Sequence, residues 1–252
     1  LTSCEKTGII PKDKFDLSSL RTVLSTGSPL SKANFEWVYR NIKSDLQLSS
    51  ISGGTDIISC FMLGNPTLPV YSEEIQCRGL GMKVLALDEN QKPLIDQKGE
   101  LVCTAPFPSM PVFFWDDKDG YKYHSAYFDY YPGIWRHGDY ILITENGGII
   151  VYGRSDATLN PGGVRIGTAE IYRVVESIEE IQDSIVVGYP KNNDVIVVLF
   201  VALKNDLNYT IEVEQKIRNI IRQSLTARHL PERIFHVNEI PITLNGKKVE
   251  IA

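Results

Sequence analysis

The chain has 252 residues, 26 of them basic and 31 acidic, and a formal net charge of −5. This length suffices for two domains with a sizeable core. The acidic balance argues against a nucleic-acid partner, and the lack of a run of about 18 apolar residues argues against a membrane span. The four cysteines, at positions 4, 60, 77 and 103, have no zinc-type spacing. We therefore predict structural thiols in a reducing compartment, the cytoplasm.

The first quarter of the chain combines strand and helix patterns. A β-rich run over 20–25 is followed by apolar residues at helical spacing over 32–46, with Ser31 placed to cap the helix. A second strand pattern over 48–52 ends at two adjacent glycines, and an apolar segment covers 57–63. This order predicts part of an α/β layer.

Residues 70–155 have a different pattern, with short strands and turns. The strand candidates are 82–87, 100–104, 140–144 and 149–152, the last two joined by a glycine-rich hairpin signal. The aromatic-rich segment 113–131 predicts a long ordered loop. Together these patterns predict a small antiparallel β-barrel or sheet.

The last hundred residues predict a compact α+β domain. Its candidate elements are a helix over 168–178 capped by Thr168, strands over 184–189 and 195–203, a helix over 211–225 and a strand over 233–237. This αββαβ order predicts domains at 1–155 and 156–252 with a hinge at Asp156.

The first candidate site is the loop Ser52-Gly53-Gly54-Thr55-Asp56, directly after a predicted strand. Adjacent glycines let the backbone approach a ligand closely. The Thr55 hydroxyl can bind a phosphate, and the Asp56 carboxylate can hold Mg²⁺. The alternative is a plain glycine turn in which Asp56 caps a following helix.

A second candidate is His137-Gly138-Asp139, where a predicted hairpin strand begins. An aspartate at a strand start can accept hydrogen bonds from two vicinal hydroxyls, as acidic residues do for ribose. The alternative is an ordinary Gly-Asp turn, with His137 as a half-buried packing residue.

Two further candidates carry positive charge. Arg154 and Arg165 flank a glycine pair, and guanidinium groups suit phosphate and ribose oxygens. Near the end of the chain, Lys247 follows an Asn-Gly turn and can deliver one positive charge to an anion. The alternatives are an interdomain turn with solvated arginines and a solvated basic turn.

The order of these motifs resembles that of the adenylate-forming superfamily, which includes acyl-CoA synthetases, nonribosomal adenylation domains and luciferases. Segment 26–29 resembles its G-[ES]-P motif, 52–56 its G-x-T-E loop with Asp for Glu, and 137–139 its T-G-D motif. Segment 153–156 resembles G-R-x-D, and 241–247 resembles P-K-T-x-S-G-K with Ile242 in place of the first lysine.

Within the superfamily, segments 50–56, 75–81, 132–140 and 152–171 are similar to the acetoacetyl-CoA synthetases. Acetyl-CoA synthetases have tryptophans where Gly53 and Gly54 stand. The resemblance implies a two-step ligase that uses acetoacetate, ATP and CoA with Mg²⁺. The alternatives are a ligase for another short acid, such as acetate or propionate, and a non-catalytic remnant that binds a nucleotide or a partner protein.

The resemblance also implies residue roles. Those expected at the nucleotide are Gly27, Ser28 and Pro29 at adenine, Gly54 beside them, Thr55 at the α-phosphate, Asp56 at Mg²⁺, Asp139 and Arg154 at the ribose, and Arg165 at phosphate. Those expected in the mobile domain are Asp156 as the hinge, Lys247 as the catalytic cation, Gly163 at the CoA tunnel and Arg222 at the CoA phosphate.

The family's Ser/Thr/Gly-rich phosphate loop, expected upstream of Gly27, is absent from the 252 residues. We therefore expect an incomplete piece that lacks the N-terminal part of its own large domain. The fragment alone is expected to have little or no ligase activity.

Overall fold

The computed structural model describes residues 4–5, 7–191, 194–204, 207–243 and 247–250. Residues 192–193, between the predicted strands 184–189 and 195–203, and residues 244–246 of the motif at 241–247 lie outside this part of the chain. The fold is mixed α/β and divides into two compact units, Leu1–Val151 and Tyr152–Ala252. The domains 1–155 and 156–252 stay a prediction.

The first unit begins with a parallel strand pair connected through a helix. Its elements are α1 (Pro11–Lys14), β1 (Thr22–Ser25), α2 (Lys32–Asn41) and β2 (Gln47–Ser50). Ser31 caps α2 as predicted: its Oγ accepts from the Asn34 N–H at 3.3 Å, and the Asn34 side chain accepts from the Ser31 N–H. The helix ends at Asn41, before the predicted residue 46, and buries Phe35 and Val38 beside Leu48.

The remaining strands of this unit form two antiparallel sheets. One contains β3 (Ser52–Gly54), β4 (Ser59–Leu63) and β5 (Cys77–Arg78). The other has the order β10-β9-β8-β6-β7, built from β6 (Val84–Leu87), β7 (Pro93–Leu94), β8 (Lys98–Cys103), β9 (Trp135–Ile143) and β10 (Ile149–Arg154).

The prediction of a closed β-barrel is wrong. Among the described residues the five-stranded sheet is open, with β10 and β7 as its edges. β7 has only two residues and begins with Pro93, which has no N–H to donate to a further strand. The antiparallel strands are therefore present, but they do not close on themselves.

The segment 113–131, predicted as a loop, contains helix α3 (Tyr121–Tyr127). The Asp117 carboxylate accepts hydrogen bonds from the backbone N–H groups of Lys122 and Tyr123 at 2.9 and 2.8 Å. These bonds satisfy donors of the first helical turn that have no partner within the helix. Tyr123, Tyr127 and Phe128 of this segment pack around the buried Trp135.

The second unit has the predicted αββαβ order: α4 (Thr168–Val175), β11 (Ile181–Lys191), β12 (Asp194–Leu203), α5 (Ile211–Ser224) and β13 (Arg233–His236). β11 and β12 are antiparallel, and β13 is parallel to β12. Gly167 is the N-cap of α4 rather than Thr168, and its N–H donates to the Glu170 carboxylate at 2.9 Å. The core includes Ile171, Leu199, Ile217 and Ile221, all fully buried.

The four cysteines are free, as predicted. In the part of the chain that the structure describes, every helix is too short or too polar to cross a membrane.

Candidate functional site

The segments that follow β1 and β2 leave the parallel pair at the same edge. The Ile51 N–H donates to the Ser25 carbonyl at 2.9 Å, so the strand ends lie side by side. Gly27 and Ser28 are exposed just beyond β1, and Pro29 is half-buried. Ligands of α/β proteins commonly bind beyond the carboxyl ends of parallel strands, where this edge lies.

The segment after β2 forms a hairpin instead of a turn into a helix. β4 follows Asp56, so the alternative of a helix cap at Asp56 is wrong. A Cβ on Gly53 would lie 2.0 Å from the Ser59 carbonyl oxygen, which explains the glycine at this close approach of the strands. Thr55 and Asp56 lie exposed at the hairpin turn, where a ligand can reach them.

The His-Gly-Asp motif is a bulge in β9. Residues 137–139 stand opposite a single residue of β8, between the pairs Tyr140–Glu100 and Arg136–Val102. The central glycine has φ of +82°, a conformation that favours glycine. Bulges bend a strand and change the direction of its side chains, and they occur often beside active sites.

His137 joins this bulge to the glycine hairpin. Its Nε2 lies 3.3 Å from the Gly53 carbonyl oxygen and 3.7 Å from Asp139 Oδ2. The ring packs edge-on against Phe61, with the ring centroids 4.8 Å apart, and it lies beneath Gly54. The packing role considered for His137 is confirmed. Two candidate motifs more than 80 residues apart in sequence therefore meet at one place.

Asp139 is only 9% exposed. Removing a carboxylate from water is unfavourable unless polar groups surround it. The bulge supplies such a setting, with the imidazole of His137 next to the carboxylate. The side chain is thus held in place beside the hairpin.

Asp56 contacts a residue that the sequence analysis missed. The Tyr127 hydroxyl donates to the Asp56 carboxylate. The Tyr127 ring stacks on Trp135, with ring centroids 3.5 Å apart and planes at 15°. The dense aromatic run over 113–131 was the only sequence signal for this arrangement.

The donor chemistry around Asp56 suits Mg²⁺. This ion is commonly held by one or two carboxylates together with substrate phosphates. Asp56 offers one exposed carboxylate. Among the described residues there is no group of three or more His, Cys, Asp or Glu side chains that could enclose a metal ion by themselves.

In the second unit, Arg154 and Asp156 lie together. Arg154 Nε is 3.3 Å from Asp156 Oδ1, and Arg154 Nη2 is 3.4 Å from Oδ2. Both side chains are about half exposed. The residues expected at the ribose and at the hinge thus form an ion pair with each other.

The glycine pair sits in a 3₁₀ turn, Pro161–Gly163. The Gly162 N–H donates to Asp194 Oδ1 at 2.8 Å, and the Arg228 guanidinium packs directly on Gly162. Backbone hydrogen bonds from Gly162 and Val195 lower the pKa of Asp194. The turn is therefore held on one side by an acidic and a basic side chain.

The other side of this turn is open. Gly163 is exposed, and a Cβ placed on it would meet no atom within 4 Å. Arg165 is exposed two residues later, and Arg222 is exposed in the last turn of α5. The structure leaves these three predicted ligand-binding residues accessible.

Lys247 has an exposed side chain on a paired backbone. Its N–H donates to Thr243 Oγ1 at 3.1 Å, and its carbonyl accepts from the Thr243 N–H at 2.8 Å. The next pair, Ile242 with Lys248, is an antiparallel bridge. Two short backbone segments thus present Lys247 to solvent.

The comparisons with known proteins agree with the motifs. Residues 170–247 match the family model described as AMP-binding enzyme C-terminal domain. The chain is 52% identical over 252 residues to acetoacetyl-coenzyme A synthetase of Rhizobium meliloti, covering all of this chain and 39% of that protein. It is 49% identical over 254 residues to acetoacetyl-CoA synthetase of Gallus gallus, covering 38% of it.

Solved structures give the same result. Acetoacetyl-CoA synthetase from Streptomyces lividans superposes with a TM-score of 0.88 at 43% identity, covering 99% of this chain and 38% of that one. An anthranilate CoA ligase in complex with anthranoyl-AMP has a TM-score of 0.81 at 19% identity, a likeness of fold alone. The resemblance to the adenylate-forming superfamily is confirmed, and the chain spans well under half the length of these relatives.

Proposed function

We propose that this chain, homologous over its full length to acetoacetyl-CoA synthetases, is the C-terminal part of an ATP-dependent ligase that makes acetoacetyl-CoA from acetoacetate. The observation that carries this proposal is the contact of His137 with the Gly53 carbonyl at 3.3 Å. It joins the hairpin expected at phosphate to the bulge expected at ribose.

In this proposal, residues 1–155 are the end of a large AMP-binding domain whose N-terminal part precedes them. Residues 156–252 form a mobile domain that turns about Asp156. The greater length of the relatives, of which the chain spans 39% or less, supports the N-terminal part, and the two compact units support two domains. The free thiols support a cytoplasmic protein.

The proposal assigns the parts of the nucleotide to the residues expected from the motifs. Gly27, Ser28 and Pro29 line the adenine, with Gly54 beside them. A second set binds the rest of the nucleotide: Thr55 the α-phosphate, Asp139 and Arg154 the ribose hydroxyls, and Arg165 a phosphate oxygen. The parallel-strand edge and the exposed hairpin turn support the first assignments.

In the first half-reaction, a carboxylate oxygen of acetoacetate attacks the α-phosphorus of ATP, and pyrophosphate leaves. Two like charges about 4 Å apart repel each other by about 4 kcal/mol at an effective dielectric constant of about 20. The ammonium of Lys247 offsets this repulsion at the carboxylate and the α-phosphate. Its exposed position supports this role.

Mg²⁺, held by Asp56 and the phosphates, supplies further positive charge when bound. The Tyr127 hydroxyl orients the Asp56 carboxylate for this task.

In the second half-reaction, the CoA thiolate attacks the acyl carbon, and AMP leaves as the thioester forms. CoA needs the space that Lys247 occupies, so the mobile domain turns and presents Gly163 and Arg222 instead. Gly163 borders the pantetheine path, and Arg222 binds a CoA phosphate. Motions of this kind commonly gate turnover.

The test is acetoacetate-dependent exchange of pyrophosphate into ATP by the full-length protein. We expect exchange with acetoacetate to exceed exchange with acetate or propionate, and Lys247→Ala to abolish it. Lys216→Ala, which removes an exposed cation on α5, is the matched control and should exchange normally.

Other outcomes decide between the alternatives. Faster exchange with acetate or propionate would make the protein a ligase for that acid. Nucleotide binding without exchange with any acid would make it a non-catalytic binding protein. Robust turnover by the 252 residues alone would contradict the proposal that an N-terminal part is required.

A further inference from the structure

A group of polar side chains lies directly beneath the segment that carries Lys247. The Lys248 ammonium contacts the Glu176 carboxylate, Asp183 Oδ1 at 2.7 Å and the Ser184 carbonyl oxygen at 2.5 Å. The Lys248 side chain is only 16% exposed. An ammonium has three N–H donors, and here three oxygens accept them. Lys248 is therefore fully engaged inside its own unit.

One aromatic residue, Tyr172, and one acidic residue, Glu250, complete the group. The Lys248 ammonium lies 4.2 Å from the centroid of the Tyr172 ring, a cation–π contact. The Tyr172 hydroxyl donates to Glu250 Oε1 at 2.8 Å and accepts from the Val186 N–H at 3.2 Å. Residues 248 and 250 thus both hold the end of the chain to α4 and β11.

The carboxylate that binds Lys248 is also hydrogen-bonded to β11. Glu176 also accepts from the Ser184 N–H and hydroxyl, at 3.1 and 2.8 Å. Burial raises the pKa of Glu176, while Lys248 beside it acts in the opposite direction. Without Lys248, the carboxylates of Glu176 and Asp183, with side chains 32% and 23% exposed, would lose their shared cation.

The backbone carries this constraint to Lys247. Adjacent residues of an extended chain point to opposite sides and have Cα atoms about 3.8 Å apart. Lys248 points inward and Lys247 outward. The pairing of Thr243 with Lys247, and the Val249 N–H bond to the Pro241 carbonyl at 3.0 Å, make the segment a unit.

We propose that Lys248 is a positioning residue: its anchor on Glu176 and Asp183 fixes the segment from which Lys247 reaches the reacting carboxylate and phosphate. This inference rests on the proposed function. It predicts that Lys248 matters for adenylate formation and not for thioester formation, because only the first half-reaction uses Lys247.

The test compares Lys248→Met with Lys216→Met, an exposed ion-paired control on α5, in the full-length protein. Adenylate formation and thioester formation from supplied acyl-adenylate are measured separately. We expect Lys248→Met to slow the first about 10- to 100-fold, the range for misplacement of a catalytic group by about 1 Å. The second should stay within about twofold of the control.

Hydrogen exchange at the Thr243 and Val249 amides gives a readout that does not depend on activity. Both amides are hydrogen-bonded within the segment, so Lys248→Met should speed their exchange about tenfold or more, while α5 amides stay unchanged. Glu176→Gln, which keeps the shape of the side chain, should give a smaller loss confined to adenylate formation. If Lys248→Met fails to fold, Glu176→Gln tests the proposal in its place.

Equal losses in both half-reactions, or adenylate formation within twofold of the control, would overturn the inference while the proposed function stands. No adenylate formation by the wild-type protein would overturn the proposed function and with it the catalytic part of the inference. The exchange rates would then decide alone whether Lys248 holds the segment.

Discussion

The hydroxyl of Tyr127 offers a test of one contact at the candidate site. Tyr127→Phe removes the hydrogen bond to Asp56 and keeps the ring that stacks on Trp135. A buried hydrogen bond to a charged group contributes about 1.5–3 kcal/mol. Asp56 is exposed, so we expect about 1 kcal/mol of lost stability, the net value of an ordinary hydrogen bond. For a chain of this length that lowers the melting temperature by about 2–4 °C.

Tyr123→Phe is the matched control. The Tyr123 ring also packs near Trp135, but among the described residues its buried hydroxyl has no hydrogen-bond partner. Removing an unsatisfied buried hydroxyl is neutral or stabilising. The melting temperature of Tyr123→Phe should therefore equal or exceed that of the wild type, measured by calorimetry under the same conditions.

The same pair of variants tests the role of Asp56. If Tyr127 orients this carboxylate for Mg²⁺, Tyr127→Phe should need several-fold more Mg²⁺ for half-maximal pyrophosphate exchange, and Tyr123→Phe should not. Equal melting temperatures for the two variants, together with equal Mg²⁺ requirements, would refute the reasoning.

Three further predictions concern single positions. Gly53→Ala places a Cβ 2.0 Å from the Ser59 carbonyl oxygen, and overpacking of this kind costs about 1–3 kcal/mol; an unchanged melting temperature would contradict it. Gly162→Ala displaces the Arg228 guanidinium, 2.1 Å from the new Cβ, and should slow thioester formation more than adenylate formation in separate half-reaction assays. The pKa of Asp194 is lowered by hydrogen bonds from the Gly162 and Val195 backbone, so the ionised carboxylate stabilises the fold. This contribution to the free energy of unfolding is fully present above the ordinary pKa of 3.8 and is lost as pH falls through the lowered value. The acid-unfolding curve of Asp194→Asn should lack this loss of stability.

Local patterns predicted much of the fold. The helical spacing and Ser31 identified α2, and the αββαβ order of the second unit was confirmed. The spacing did not reveal α3, because its first turn is held by Asp117 and its residues Tyr123 and Tyr127 pack on Trp135 of β9. Strand patterns alone also could not decide whether a sheet closes, since closure depends on which edges pair.

The candidate site shows the same limit. The residue types around Gly53 and Asp139 indicated nucleotide chemistry, but only their order along the chain, compared with a known family, joined them. The contact through His137 bridges more than 80 residues. The contacts of Lys248 could not be predicted from local patterns, because its partners, Glu176 and Asp183, lie more than 60 residues away in the sequence.

The proposed function assigns Asp139 and Arg154 to the ribose of one nucleotide, and a crystal structure of the full-length protein with AMP tests this assignment. We expect the Asp139 carboxylate and the Arg154 guanidinium within about 3.5 Å of the ribose hydroxyls, the reach of a hydrogen bond. A sugar bound away from both side chains would contradict it.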